Sequence, residues 1–395
     1  MKQLRVAMLA PPWLAIPPKG YGGVENVLDA LVRELLHLGV KVELFTVGET
    51  TLRSTKKHWL YKQSQMIHMY KPWFDSIPVM TAHVLFALNA IKKDGGFDII
   101  HDHNVISGPL ALAFADSALP PAIHTLHGPP FTDERRLKES GLPDNMAMWR
   151  QFGSAAQLYF VAISEALHKN APRALKKRML APVHNPIKMR SFPFVKKKGD
   201  YFATLARFHP DKGQALAVRA CKELGYYLKM AGSVAGIASR RQVLMELANP
   251  SSAYRSLADF RYFSDQIFPH IDGDIEHIGE VQGREKMRFI SRARALLFPI
   301  QWDEPFGMAA TEALACGTPV VAMNRGALPE IIEHGVNGFL ANNYKEFKQY
   351  MQRVDEIDPG DCRRSVTDKF SATRIAQQYL ERYHEVLARA KQARA

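Results

Sequence analysis

Residues 4–47 read LRVAMLAPPWLAIPPKGYGGVENVLDALVRELLHLGVKVELFTV, and the order of elements in this stretch decides the fold class. Residues 4–10 are a short apolar run that turns into Pro11 and Pro12, which reads as a buried strand followed by a loop and not as a signal peptide. A Gly/Pro loop follows, then an amphipathic helical pattern from about residue 23 to residue 38. Gly39 stops it, and residues 41–47 supply a second apolar strand. Strand, helix, strand in that order is a βαβ unit, and a βαβ unit implies a parallel sheet.

Further short apolar runs recur at 97–101, 122–126 and 158–163, each leading into a loop of Gly, Asn, Asp or His. Loops at the carboxyl ends of such strands are where α/β proteins bind ligands. Residues 166–198 then carry ten Lys or Arg and no Asp or Glu, with prolines at 172, 182, 186 and 193. The prolines interrupt regular structure, and 186–199 reads as a linker. Alternation restarts with strands at 201–206, 226–231, 275–279, 295–300 and 319–323, a helix from 212 and a helix over 307–316. Residues 235–270 yield no more than a loop and one or two short helices. Tyr379, Leu380, Tyr383 and Leu387 mark 371–395 as a long helix. The expected fold is therefore α/β: two Rossmann-like doubly wound domains, 1–190 and 191–372, facing across a cleft, with a C-terminal helix, 373–395, returning to the first.

The chain has 395 residues, 47% apolar and 23% charged, which excludes disorder and collagen-like repetition. Lys and Arg number 52 against 39 Asp and Glu, so the net charge is +13. That potential draws in anions, whether nucleotide, nucleic acid or acidic lipid. Cys221, Cys316 and Cys362 are odd in number and far apart, which indicates neither a disulfide framework nor a zinc site. The expected compartment is the cytoplasm, and no apolar stretch is long enough to span a bilayer.

Residues 303–319, DEPFGMAATEALACGTP, carry the most chemistry. Pro305 and Gly307 place a helix start just after Glu304, and Gly317 with Pro319 ends that helix. Unpaired amides near Phe306, Gly307 and Met308 then form an anion site, and the helix dipole adds attraction for phosphate. Glu304 stands at its mouth, suited to accept hydrogen bonds from sugar hydroxyls. Glu312, one to two turns inside, suits a ribose diol. Two arbitrary glutamates on a capped helix are more often solvated surface acids, but the whole string argues for a site.

The spacing Glu304-x7-Glu312 within EPFGMAATEALACGTPVVA resembles the donor-site signature of glycosyltransferase family 4, retaining enzymes of the GT-B fold, and the resemblance runs over nearly the whole chain. It implies that Arg207 and Lys212, in LARFHPDKG, embrace a nucleotide diphosphate. It further implies that Gly22 and Gly23, in GYGGVE, border the donor phosphates, with Tyr21 and Glu25 on the acceptor side. His127, at the end of the 122–126 strand, would contact the donor sugar close to the reacting carbon, making His127 and Glu304 the catalytic pair. Backbone near Val281 would meet the base. Ser164-Glu165 and Asn185-Pro186 match cleft-edge elements of the family, with Pro186 where Gly is usual.

Other features are weighed against plainer readings. Asp272-Gly273-Asp274 is a formal DxD in a Gly turn and is read as a solvated loop, not a metal site. His101-Asp102-His103 has ligand-like spacing but no third ligand; it reads as a strand end lining the cleft, with Asp102 toward the acceptor. The glycine loop lacks both dinucleotide and P-loop spacing, so neither NAD nor ATP chemistry is supported. Residues 53–73 hold five Lys or Arg with Trp59, Tyr61, Tyr70 and Trp73 and no acid, a mix that suits an anionic membrane, single-stranded nucleic acid or an ordinary basic surface.

The resulting expectation is a metal-independent retaining hexosyltransferase. It needs no cofactor beyond a UDP- or GDP-sugar donor, with UDP-glucose the first guess. Its acceptor is a glycan or lipid-linked hydroxyl, reached at the inner face of a membrane. A sugar-nucleotide 2-epimerase of the same architecture is the alternative; a nucleic-acid-binding protein would leave the Glu-x7-Glu helix and the glycine loop unexplained.

Overall fold

The computed structural model describes residues 3–20, 22–69, 73–115, 118–128 and 145–394. It divides into two compact units: Met1–Pro186 with Ala372–Ala395, and Ile187–Ser371. Tyr21 lies outside the described residues.

In unit 1 six strands form one sheet: β1 (Arg5–Leu9), β2 (Lys41–Phe45), β3 (Lys56–His58), β4 (Ile99–Asp102), β5 (Ala122–Leu126) and β6 (Leu158–Ala162). Their order is β3-β2-β1-β4-β5-β6, and every pairing is parallel. The strands β5 and β6 are buried throughout, and β1 is buried after Arg5. Helices cover both faces of a parallel sheet, so such strands are continuous apolar runs and not alternating ones. The Gly23–His37 helix buries Val27, Leu28, Leu31, Val32 and Leu35. The Ala372–Arg394 helix joins the same cluster through Ile375, Ala376, Tyr379, Tyr383 and Val386, which places the chain's last helix in the first unit as expected.

Unit 2 repeats the plan with β7 (Tyr201–Leu205), β8 (Tyr227–Ala231), β9 (Ile275–Gly279), β10 (Ala295–Phe298), β11 (Val320–Met323) and β12 (Gly338–Ala341). The order β12-β11-β10-β7-β8-β9, read from β9, is the order of unit 1. Both units are thus the doubly wound α/β class. In each, chain direction across the sheet reverses between the first and fourth strands, so the helices that follow those two strands lie on opposite faces. The crevice so formed at the carboxyl ends is the ligand position of open α/β sheets. In unit 2 it falls beyond β7 and β10; in unit 1, beyond β1 and β4.

Candidate functional site

Beyond β7 the chain runs through Arg207 and a short turn, Pro210–Lys212, into the Gln214–Leu224 helix. Beyond β10 it passes Trp302 and Glu304 and enters the Met308–Ala315 helix, capped by Gly307 at φ 110°. The two loops meet. Lys212 Nζ donates to Glu304 Oε2 at 2.8 Å, Trp302 Nε1 donates to the same oxygen at 3.0 Å, and the lysine stands 4.8 Å from the Trp302 ring centroid. Two donors on one oxygen fix the carboxylate of Glu304 at the mouth of the helix. An ammonium carries three N–H bonds, so Lys212 holds Glu304 and keeps donors for an incoming anion.

One turn into the helix, Glu312 is buried, and its Oε1 accepts from Lys286 Nζ at 2.7 Å. Lys286 belongs to the Gly283–Arg292 helix, which follows the turn holding the buried Val281. Arg207 is exposed and donates through Nη1 to Asp259 Oδ2 at 2.9 Å, from the Ala258–Gln266 helix. Phe306 is buried. Unit 2 therefore gathers Arg207, Lys212, Glu304, Gly307 and Met308 at its switch-point crevice, with Glu312 inside the helix. Lys286, Trp302 and Asp259 are additions that no sequence motif marks. Asp259 comes from the 235–270 stretch, which folds into the Arg240–Ala248 and Ala258–Gln266 helices.

In unit 1 the loop beyond β1 ends at Gly22 and Gly23, where the Gly23–His37 helix starts. A Cβ on Gly22 would come within 2.7 Å of Pro18 and 3.0 Å of Glu25 Oε2, so packing requires glycine there. A Cβ on Gly23 would meet nothing within 4 Å, so the fold itself leaves that position open to a close neighbour.

Glu25 is 5% exposed, and burial pushes its carboxyl up to about 7, offset only in part by its own backbone amide. The ordinary value is 4.5, so between about 4.5 and about 7 the folded chain keeps a proton that the unfolded chain has lost. Stability contributed by this group is complete at low pH and falls as pH rises through that window. Glu25→Gln, which cannot ionise, is expected to exceed the wild type in stability by about 3 kcal/mol at pH 8 and by almost nothing at pH 4.5. Urea unfolding at both pH values checks this; a difference that does not grow with pH contradicts it.

Asp102, expected toward the acceptor, is wholly buried: Oδ2 accepts from His124 Nδ1 at 2.6 Å, and Oδ1 from Asn104 Nδ2 at 2.8 Å. That assignment is corrected, since a carboxylate so enclosed braces the β4–β5 ends and presents no surface. Beside it, His101 bonds Tyr383 Oη at 2.7 Å and Thr125 Oγ1 at 2.8 Å. His127, just past β5, is half-buried, with Nε2 2.7 Å from Nδ1 of the buried His103. Among the described residues no three His, Cys, Asp or Glu side chains are placed to share a metal ion, and Asp272 closes a turn into β9 through Asp274 N at 3.0 Å.

The chain is similar to known proteins along most of its length. Residues 187–358 match the family model described as glycosyl transferases group 1, and residues 21–189 match that of glycosyltransferase family 4. A D-inositol 3-phosphate glycosyltransferase of Paenarthrobacter aurescens is 24% identical over 393 residues, covering 93% of this chain and 94% of that one. Spore coat protein SA of Bacillus subtilis is 31% identical over 91 residues, 23% of this chain and 24% of its own length. The fold is shared with sucrose-phosphate synthase of Thermosynechococcus elongatus (TM-score 0.69, 18% identity, 98% and 100% coverage). It is shared also with HepE of Anabaena, solved with UDP-glucose (TM-score 0.63, 15% identity, 97% and 100% coverage).

Proposed function

The chain belongs to glycosyltransferase family 4, and from that premise we propose that it is a retaining hexosyltransferase that moves a sugar from a nucleoside diphosphate to a hydroxyl of a glycan or lipid-linked acceptor. The observation that carries this reading is the convergence at one switch point of Arg207, Lys212, a helix start and two fixed carboxylates. Cations and unpaired amides suit a diphosphate, and carboxylates suit the hydroxyls on either side of it.

In this reading the bond from the anomeric carbon to the diphosphate oxygen breaks as the acceptor oxygen bonds to that carbon on the same face. The acceptor's proton passes to a donor phosphate oxygen. Glu304 orients the sugar and His127 stabilises charge at the sugar ring. Arg207, Lys212 and the amides of Gly307 and Met308 stabilise the departing diphosphate, a charge-neutralising role that calls for neither a divalent metal nor a cofactor. Gly22 and Gly23 approach the phosphates, Val281 meets the base, and Glu312 holds the ribose. UDP-glucose is the preferred donor, supported by the UDP-glucose complex of a protein of this fold.

Calorimetric titration with UDP and GDP is the test. One of the two is expected to bind, and binding is expected to be lost in Glu312→Ala and weakened in Arg207→Ala. Failure of both to bind would sink the reading.

The acceptor is read as membrane-associated. No helix among the described residues is long and apolar enough to cross a membrane. Yet Trp59, Leu60, Ile67 and Met69 are exposed, at 49%, 44%, 71% and 50%, on the stretch that also carries Lys56, Lys57 and Lys62. Apolar side chains among cations suit an anionic lipid surface. Flotation with vesicles containing anionic lipid is expected to carry the protein, and neutral vesicles are expected to leave it behind. Equal recovery with both removes the membrane from the proposal.

A further inference from the structure

The three histidines at the ends of β4 and β5 do not share one fate: His101 is locked to hydroxyls, whereas His103 is joined on one side to His127 and on the other to a sulfur. His103 Nε2 lies 3.2 Å from Met8 Sδ, and both residues are buried, Met8 toward the carboxyl end of β1. A thioether has lone pairs and no proton, so it can only accept. Were the His103 proton on Nδ1, the Nε2 lone pair would face the sulfur lone pairs with no hydrogen between them. With the proton on Nε2, His103 donates to Met8.

Burial and the neighbouring His101, His127 and His124 hold His103 well below its ordinary pKa, so it is neutral and owns a single N–H. Its Nδ1 must then accept, and the donor within reach is His127 Nε2 at 2.7 Å. A neutral imidazole with its proton on Nε2 has a lone pair on Nδ1. Burial and His124 likewise keep His127 neutral. Its Nδ1 has no hydrogen-bond partner among the described residues, and the ring is half-buried.

We propose that His103, anchored on Met8, is a positioning residue that sets the tautomer of His127, so that Nδ1 of His127 offers a hydrogen-bond acceptor to the donor sugar. This rests on the reading that His127 faces that sugar. An acceptor takes a hydrogen bond from a sugar hydroxyl, so the device holds the donor sugar by one of its hydroxyls. His103 touches no substrate in this scheme; its effect passes through His127 as a buried partner orients a ligand histidine.

The tautomer is read in the free wild-type protein, labelled with 15N at histidine rings and assigned by loss of signals in His127→Gln. Proton-bearing Nε2 and lone-pair Nδ1 on His127 are the expected signature, and a proton on Nδ1 overturns the proposal outright. Met8→Leu keeps volume and removes the sulfur, and His103→Phe removes the acceptor; each is expected to leave His127 a mixture of tautomers. His103→Asn, whose side-chain oxygen supplies an acceptor, is expected to restore the wild-type signature. An unchanged tautomer in Met8→Leu and in His103→Phe overturns the role given to His103, and the wild-type spectrum decides the tautomer even where these variants fail to fold.

For the sugar, KM for the nucleotide-sugar donor is expected to rise about tenfold in Met8→Leu while affinity for the free nucleotide stays unchanged. A tautomer that becomes mixed in Met8→Leu with an unmoved donor KM overturns the placement of His127 at the sugar. Loss of nucleotide binding, by contrast, would tell against the transferase reading while leaving the tautomer intact.

Discussion

Replacing Lys212 by alanine is expected to lower kcat by about two to three orders of magnitude, the loss typical when one preorganised charge donor is removed from a transition-state site. Two effects act together. The ammonium that would meet the departing diphosphate is gone, and the carboxylate of Glu304, 2.8 Å from that ammonium in the intact protein, loses its counter-charge. Trp302 alone still donates to it. An unneutralised carboxylate facing a developing anion repels it, and both lie in a crevice where screening is weaker than in bulk water.

A double-mutant cycle separates the two effects. If repulsion by Glu304 dominates, Lys212→Ala/Glu304→Gln recovers part of the rate lost in Lys212→Ala; if loss of the cation dominates, the two losses add. Steady-state rates of nucleotide release with the bound nucleotide's sugar supply the numbers. A single Lys212→Ala variant within about threefold of the wild type would reduce Lys212 to an ordinary ion pair of the kind that contributes little at surfaces.

The features legible in the sequence are those that depend on local pattern. The opening βαβ unit announced a parallel sheet because buried parallel strands are uniform apolar runs, and β1, β2, β5 and β6 begin within a residue of where those runs begin. Two strands escaped. β3 is three polar residues, Lys56–His58, at the sheet edge, with no apolar run to mark it, and β12 is only four residues, Gly338–Ala341, opening on a glycine, too short a run to stand out until it pairs with β11.

The site divides in the same way. Glu304, Gly307 and Glu312 sit on one helix entry whose Pro/Gly punctuation is local, so they could be found by reading. Lys286 and Asp259 reach Glu312 and Arg207 from other helices, 26 and 52 residues away in the chain, and no periodicity signals such a meeting. Asp102 misled for a related reason. A carboxylate at a strand end looks available to a ligand until the sheet brings His124 on the next strand against it, at 2.6 Å.

Gly213 is where fold and site depend on one atom, and Gly213→Ala is expected to destabilise unit 2 by about 4 kcal/mol, in the range reserved for backbone conflicts in a packed interior. The residue sits at φ 70° as the cap of the Gln214–Leu224 helix, a conformation that costs any L side chain about 1–2 kcal/mol. The larger share comes from collision. A Cβ there would lie 1.9 Å from the carbonyl oxygen of Pro299. That oxygen is backbone, just beyond β10, and cannot swing aside as a flexible side chain would. Gln301 N, two residues on, donates to Asp211 O at 2.7 Å, so the same movement pulls apart the loops that bring Lys212 to Glu304.

The matched control is at the other end of the same helix. Gly225 has φ 68°, but a Cβ there meets nothing within 4 Å, so Gly225→Ala is expected to cost about 1 kcal/mol and leave activity intact. Thermal melts of both variants, with nucleotide-release rates at a temperature where each is folded, decide the matter. If the two alanines destabilise equally, left-handed strain alone sets the cost and Pro299 yields freely. If Gly213→Ala loses far more stability and also loses rate while folded, then the close approach of the β7 and β10 loops is what holds the cation and the carboxylate in register.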